Sequence, residues 1–145
     1  MKHFGWIFLY VLSMTTLYAQ SGPVNYKWKI ETKDDQTLEI IFEAEIEKGW
    51  YTYSQYLESD DGPVRTSVNF DQTDAIELVG MASESSSKAE NKVEGFDEMF
   101  EMNVIKYKHD LSIRQQFKVN DINQELTGYL EYMTCDDTKC MPPTA

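Results

Sequence analysis

The chain has 145 residues, 41% of them hydrophobic and 13% aromatic. That length and composition suit one domain with a packed core and set aside a disordered chain. The formal net charge of −12 repels nucleic acid and anionic membranes, which argues against nucleic-acid binding and for protein partners.

In chain order, Lys2 and His3 precede the apolar run FGWIFLYVL, and the softer SMTTLYAQ follows. The run is too short for a bilayer span, which needs about 20 apolar residues. It has the proportions of a secretory signal peptide, residues 1–19, cleaved after Ala19. Leu17 is not the small residue that such cleavage sites prefer. The alternative is an uncleaved membrane anchor, which Ser13, Thr15 and Thr16 weaken. No cysteine follows the run, so a lipoprotein anchor is not indicated. Loss of the signal removes Lys2 and no acid, taking the charge from −12 to about −13. Residues 20–145 are then an exported domain, in surroundings where disulfides form and persist.

The mature chain begins with period-two patterning. Val24, Tyr26, Trp28 and Ile30 share one face, as do Leu38, Ile40, Phe42, Ala44 and Ile46, with Glu39, Glu43 and Glu45 opposite. This is the pattern of half-buried antiparallel strands, with KDDQ as the turn between them. Ile41 is the only apolar residue on the second strand's outer face. GWYTYSQYL reads as a strand that starts at a bend, Gly49, and SDDGP as a turn. VRTSVNF and AIELVG read as short strands. ASESSSKAENKVEG has little to bury and reads as a long exposed loop, which FDEMFEMN ends. VIKYKHDLSI and QQFKV resume strand character, NDINQ is a turn, and LTGYLEYMTC is the last clear strand. About eight short strands without an amphipathic helix predict an all-β sandwich or barrel. Little sequence follows Cys140, so the domain is expected to lack its last, returning strand.

Cys135 and Cys140 are the only cysteines and have four residues between them in YMTCDDTKCMPP. If DDTK closes a hairpin, they face each other at about 4.5–5.5 Å between Cα atoms, within reach of a disulfide. Closing so small a loop contributes only about 2 kcal/mol. That is weak for a staple and favours a redox role, but these residues alone leave staple and switch about evenly matched. Asp136 and Asp137 raise the thiol pKa of Cys135, while Lys139 lowers that of Cys140, the better attacking thiolate. Metal binding is disfavoured, because the thiols lack further ligands nearby and His109 is the only histidine after the signal. No cofactor is indicated.

YMTCDDTKCMPP resembles the Tyr-x-x-Cys…Cys-x-Pro-Pro signature of the N-terminal domain of the thiol:disulfide interchange protein DsbD family. EKGWYTYSQY is similar to that family's Gly-aromatic-Tyr-x-Tyr strand, and GFDEMFE to its acidic Asp-Glu-Phe loop. The three segments occur in family order over most of the mature chain. The cysteine spacing is one residue shorter than in the best-known members, and Met99 stands where a phenylalanine is expected, between Phe96 and Phe100.

The resemblance implies an immunoglobulin-like β-sandwich in the periplasm with a cysteine-bearing hairpin at one end. It implies electron transfer from a thioredoxin-like donor domain to oxidised partners, such as a disulfide isomerase or a cytochrome c maturation thioredoxin. It places the domain within, or beside, a membrane electron-transfer protein. Cys140 would form the mixed disulfide and Cys135 resolve it. A cap loop drawn from Phe96, Asp97, Glu98, Met99 and Phe100 would cover the pair, with Tyr51 and Tyr53 packed beside it. Asp97 and Glu98 would tune protonation or hold the loop. The plainer alternative makes the tyrosines surface strand residues and the acids a solvated face. A second function class is an exported binding or adhesion module with a structural disulfide, its aromatic cluster GWYTYSQY stacking on a sugar or peptide.

Overall fold

The computed structural model describes residues 22–71, 73–121 and 125–145; the expected signal peptide lies outside them. The described residues form ten strands: β1 (Val24–Thr32), β2 (Thr37–Ile46), β3 (Tyr51–Tyr53), β4 (Ser67–Phe70), β5 (Ile76–Ser85), β6 (Lys92–Asp97), β7 (Met102–Tyr107), β8 (Asp110–Val119), β9 (Gly128–Glu131) and β10 (Thr134–Cys135). Two 3-10 turns, Thr73–Ala75 and Ala89–Asn91, are the only helical pieces among them.

The strands pair antiparallel in three sheets: β1-β2-β8-β5, β10-β3-β7-β6 and the small β4-β9. The β1–β2 hairpin is the one alternation predicts. Asp34 Oδ1 closes its turn by accepting the Gln36 and Thr37 N–H groups at 2.9 and 2.8 Å. The main core takes Val24, Phe42, Ala44, Ile46, Leu111 and Ile113 from the first sheet, Tyr107 from the second and Leu130 from the third. Each is an inward position of its strand, so the sandwich follows from burying one face of each sheet. Gly49, at φ 90°, makes the bend that leads from β2 into β3.

Several elements differ from the sequence reading. ASESSSKAENKVEG is not a long loop. Its start completes β5, where Ser83–Ser85 pair with Ser112–Arg114, and its end opens β6. Edge strands can be polar on both faces, so they lack the alternation that reveals a half-buried strand. The serines between are organised by Asp110, whose carboxylate accepts hydrogen bonds from Ser86 Oγ, Ser87 N and Asn91 Nδ2. VIKYKHDLSI is two strands in different sheets, broken at Lys108–His109, where His109 takes φ 69°. LTGYLEYMTC is likewise divided between β9 and β10. GWYTYSQYL keeps strand geometry only at Tyr51–Tyr53.

Three apolar positions also depart from expectation. Ile41, on the outer face, is 0% exposed. Its cross-strand neighbours are Lys29 and Arg114, whose aliphatic stems are long enough to shield it. Trp28 and Ile30, on the inward face of β1, are 66% and 45% exposed. They line an apolar groove of about 580 Å³ with Phe42, Val68, Phe70 and Tyr129, because the two-stranded β4-β9 sheet leaves that end of β1 uncovered.

Candidate functional site

The site is built where β10 pairs with β3, with Cys135 opposite Tyr51. After Cys135 the chain turns through Asp136–Lys139 and bridges back at Cys140. The turn is set by Asp136. Its N–H donates to the Lys139 carbonyl at 2.9 Å. Its Oδ1 accepts the Thr138 hydroxyl and N–H at 2.7 Å each and the Lys139 N–H at 2.8 Å. These donors, Thr138 foremost, hold the Asp136 carboxyl below its ordinary pKa. The cysteines form a disulfide, with Cα atoms 4.0 Å apart. Beyond it the chain runs back along β10: Met141 N–H reaches the Thr134 carbonyl at 2.8 Å, and Tyr132 and Thr144 exchange backbone bonds at 2.9 Å.

The two sulfur positions are unequal. Cys135 is 0% exposed, whereas Cys140 is half-buried at the surface. Cys135 sits in a cluster with Tyr51, Tyr53, Leu57 and Val104, against which Phe100, Met102, Met133 and Cys140 pack. Tyr51 and Tyr53 project from one face of β3 with rings 5.7 Å apart and perpendicular. The Tyr51 hydroxyl donates to the Asp136 carbonyl at 2.9 Å, tying the cysteine turn to β3. Burial drives the Tyr53 phenol well above its ordinary pKa, with Tyr51 and Asp97 adding to the rise. Tyr53 is therefore a neutral wall of the site. Neither tyrosine is a surface residue, so these two rings are not free to stack on a ligand.

A second hairpin, β6–β7, covers the first. Its turn, Glu98–Glu101, is closed by Asp97 pairing with Met102. Asp97 is buried, and its Oδ1 accepts the Met99 N–H at 2.8 Å and, more weakly, the Phe100 N–H at 3.4 Å. Its Oδ2 meets Lys106 Nζ at 2.7 Å, and that ammonium also lies 4.1 Å from the centre of the Tyr51 ring. Burial pushes the Asp97 carboxyl up, but Lys106 and the two N–H groups outweigh it and hold the pKa below the ordinary carboxylate value. Burial likewise pushes Lys106 down, and its pairing with Asp97 and Tyr51 outweighs that and raises it. Both groups are charged at neutral pH.

Held this way, the turn places Phe100 edge-on to Tyr53, with ring centres 5.9 Å apart. Met99 Sδ lies 3.6 Å from Cys140 Sγ. Cys140 Sγ is in a disulfide and carries no proton, so this is a sulfur–sulfur van der Waals contact. Phe96 points away from the cluster and is 66% exposed; Glu98 is exposed too. Of the expected cap residues the structure gathers Asp97, Met99 and Phe100 at the disulfide, together with Tyr51 and Tyr53.

Sequence reasoning missed Lys106, Met102, Met133, Leu57 and Val104. Lys106 carried a signal: in VIKYK it has the parity of Val104, a charge on a strand face that also carries an apolar residue. Lys139 rests 5.6 Å from the centre of the Trp50 ring. Among the described residues, no group of three or more His, Cys, Asp or Glu side chains is placed to hold a metal ion.

An antiparallel sandwich with a short-loop disulfide beneath a second hairpin defines an immunoglobulin-like β domain that carries one cystine. A solved structure similar to it is the Neisseria meningitidis DsbD N-terminal domain in the reduced form, with a TM-score of 0.50 and 20% sequence identity, covering 82% of this chain and 78% of that one. No relative matches among curated proteins. Residues 19–145 match the family described as thiol:disulfide interchange protein DsbD, N-terminal, and the chain belongs to that family. A general role in thiol–disulfide interchange with thioredoxin-like partners follows from the membership.

Proposed function

We propose that residues 20–145 are an exported, periplasmic interchange domain that carries electrons through a reversible Cys135–Cys140 disulfide. The donor is a thioredoxin-like protein or domain. The acceptors are oxidised thioredoxin-fold partners, of the disulfide isomerase or cytochrome c maturation kind. The apolar run of residues 1–19, read as a signal peptide, and a family match that begins at residue 19 support export. Among the described residues no helix is long and apolar enough to cross a membrane.

The observation that carries the reading is the asymmetry of the cystine: Cys135 is sealed, while Cys140 is reachable once Met99 moves. A donor thiolate attacks Cys140 Sγ, the Sγ–Sγ bond breaks, and Cys135 leaves as a thiolate that takes up a proton. A second donor thiolate then attacks the donor sulfur of the mixed disulfide and releases Cys140. In the acceptor step the Cys140 thiolate attacks the partner's disulfide. Cys135 then attacks Cys140 Sγ, restoring the cystine and leaving the partner reduced. Met99 and Phe100 exclude stray thiols and oxidants until a partner displaces them. Asp97 and Lys106 hold the turn that presents them.

The test is trapping. Cys135→Ser, offered an oxidised thioredoxin-like protein, should accumulate a mixed disulfide at Cys140, seen by non-reducing electrophoresis and peptide mass. Absence of any such adduct, with the fold intact, overturns the proposal. A reduction potential far below about −300 mV would mark a structural bond instead.

A further inference from the structure

Met133 and Met141 flank the cysteines in sequence, but Met133 Sδ accepts the Val64 N–H at 3.4 Å, and the thioether that the structure sets against a cysteine sulfur comes from elsewhere in the fold. Met99 arrives from the other hairpin with its thioether sulfur 3.6 Å from Cys140 Sγ, and Cys135 lies directly across the turn, Cα to Cα 4.0 Å. Three sulfurs from two hairpins thus converge at one half-open point. Met99 is 48% exposed and Cys140 half-buried, so an ion can enter from solvent. Behind them the site is walled by Tyr51, Tyr53, Phe100 and Val104, which supply no anionic oxygen, and the nearby Asp97 carboxylate is engaged by Lys106 and the Met99 and Phe100 N–H groups.

We infer that the reduced domain binds one Cu(I) ion through the Cys135 and Cys140 thiolates and the Met99 thioether. Thiolate and thioether donors are soft and select Cu(I) over hard divalent ions such as magnesium or calcium. The inference rests on the disulfide being reducible, as in the proposed function. A dithiol donor gives two electrons and two protons to the cystine, producing two thiols and its own disulfide. Each cysteine then gives up its proton on binding the ion. The oxidised domain has no thiolates to offer and holds no such site. Copper and disulfide partners therefore compete for the same reduced form, and Cu(I) inhibits electron delivery by occupying Cys140. Met99 has a role here that a purely apolar cap would not need, since leucine would cover the disulfide equally well but could not ligate.

The probe is Cu(I) itself, titrated anaerobically into chemically reduced protein against the chelator bathocuproine disulfonate. The reduced wild-type chain is expected to take one equivalent, and the oxidised chain none. Met99→Leu keeps an apolar side chain and removes the sulfur, and should weaken the affinity by at least about tenfold, the least that loss of a supporting group at a metal site usually costs. Met81→Leu, at an exposed methionine on β5, is the control and should bind as wild type. X-ray absorption of the copper-loaded wild type should show Cys135, Cys140 and Met99 as three sulfur neighbours. Failure of the reduced chain to bind, equal affinity in wild type and Met99→Leu, or two sulfur neighbours in the wild type overturns the inference. Because chemical reductant prepares the protein, loss of copper binding and loss of partner exchange are read separately.

Discussion

Asp97 is the residue whose replacement best separates a gate from an ordinary surface loop. Asp97→Asn keeps the size of the side chain and an oxygen for the Met99 N–H. It removes the charge that meets Lys106 at 2.7 Å and that strengthens the bonds from Met99 and Phe100 at 2.8 and 3.4 Å. Hydrogen bonds to a charged group are each worth about 1.5–3 kcal/mol net, so a loss of about 2 kcal/mol from the closed turn is a fair expectation, with the longer bond contributing little. That corresponds to a roughly thirtyfold shift toward the uncovered disulfide.

The assay is the rate at which a small dithiol reduces the oxidised domain, followed under pseudo-first-order conditions. If the cap gates access, the rate rises toward that factor while circular dichroism stays native. An unchanged rate in a folded variant would falsify the gating argument. The stability effect also has a defined sign with pH. The folded pKa of Asp97 is depressed, so its contribution is fully present above the unfolded value of about 3.9 and is lost as pH falls through the folded pKa. The difference in denaturation free energy between wild type and Asp97→Asn should accordingly be flat from neutral pH to about pH 5 and shrink below pH 4.

Tyr51→Phe removes the bond to the Asp136 carbonyl and should cost about 1 kcal/mol in urea denaturation; no loss would mean that the turn is held without it. Asp136→Ala takes away the acceptor for Thr138 and Lys139. The reduced hairpin should splay, and the effective concentration of the two thiols, measured against glutathione, should fall; an unaltered value would contradict the role given to this carboxylate. Gly128→Ala drives a Cβ into the Asn69 carbonyl oxygen, a backbone atom that cannot swing aside. It should destabilise the β4-β9 pair by about 1–3 kcal/mol in thermal or urea unfolding while leaving dithiol reduction of the cystine unchanged.

The cysteine turn was largely legible in the sequence because everything it needs is local. Asp136 and Thr138 carry turn chemistry within three residues of each other, and the pairing partner of Cys135 lies five positions on. The β1–β2 hairpin was legible for a similar reason, since one buried face imposes a period of two. The polar edge strands were not legible, because half of β5 and most of β6 bury nothing that would mark a face. The breaks at Lys108–His109 and within LTGYLEYMTC were hidden too. A strand that leaves one sheet for another keeps its β-forming residues on both sides of the break.

At the site, the family resemblance pointed to the segment that the structure brings against the disulfide but left three apolar candidates for the contact, Phe96, Met99 and Phe100. Their order in sequence cannot rank them, because rank depends on how the turn folds over the other hairpin. Asp97 sets that fold by reaching Lys106, nine residues on, and the resulting twist sends Phe96 to solvent, Phe100 to Tyr53 and Met99 to the sulfur.

The family resemblance named the segments that accompany the cysteines; the sequence by itself determined that the chain folds as antiparallel strands and that its two cysteines close a short loop. Those are consequences of alternation and of contacts within a few residues. Only the tertiary structure decided which sulfur is sealed and which is reachable, and that a methionine rather than a phenylalanine touches it. Burial and contact between hairpins that are far apart in the chain depend on sheet pairing, and sheet pairing is a long-range property that no local pattern contains.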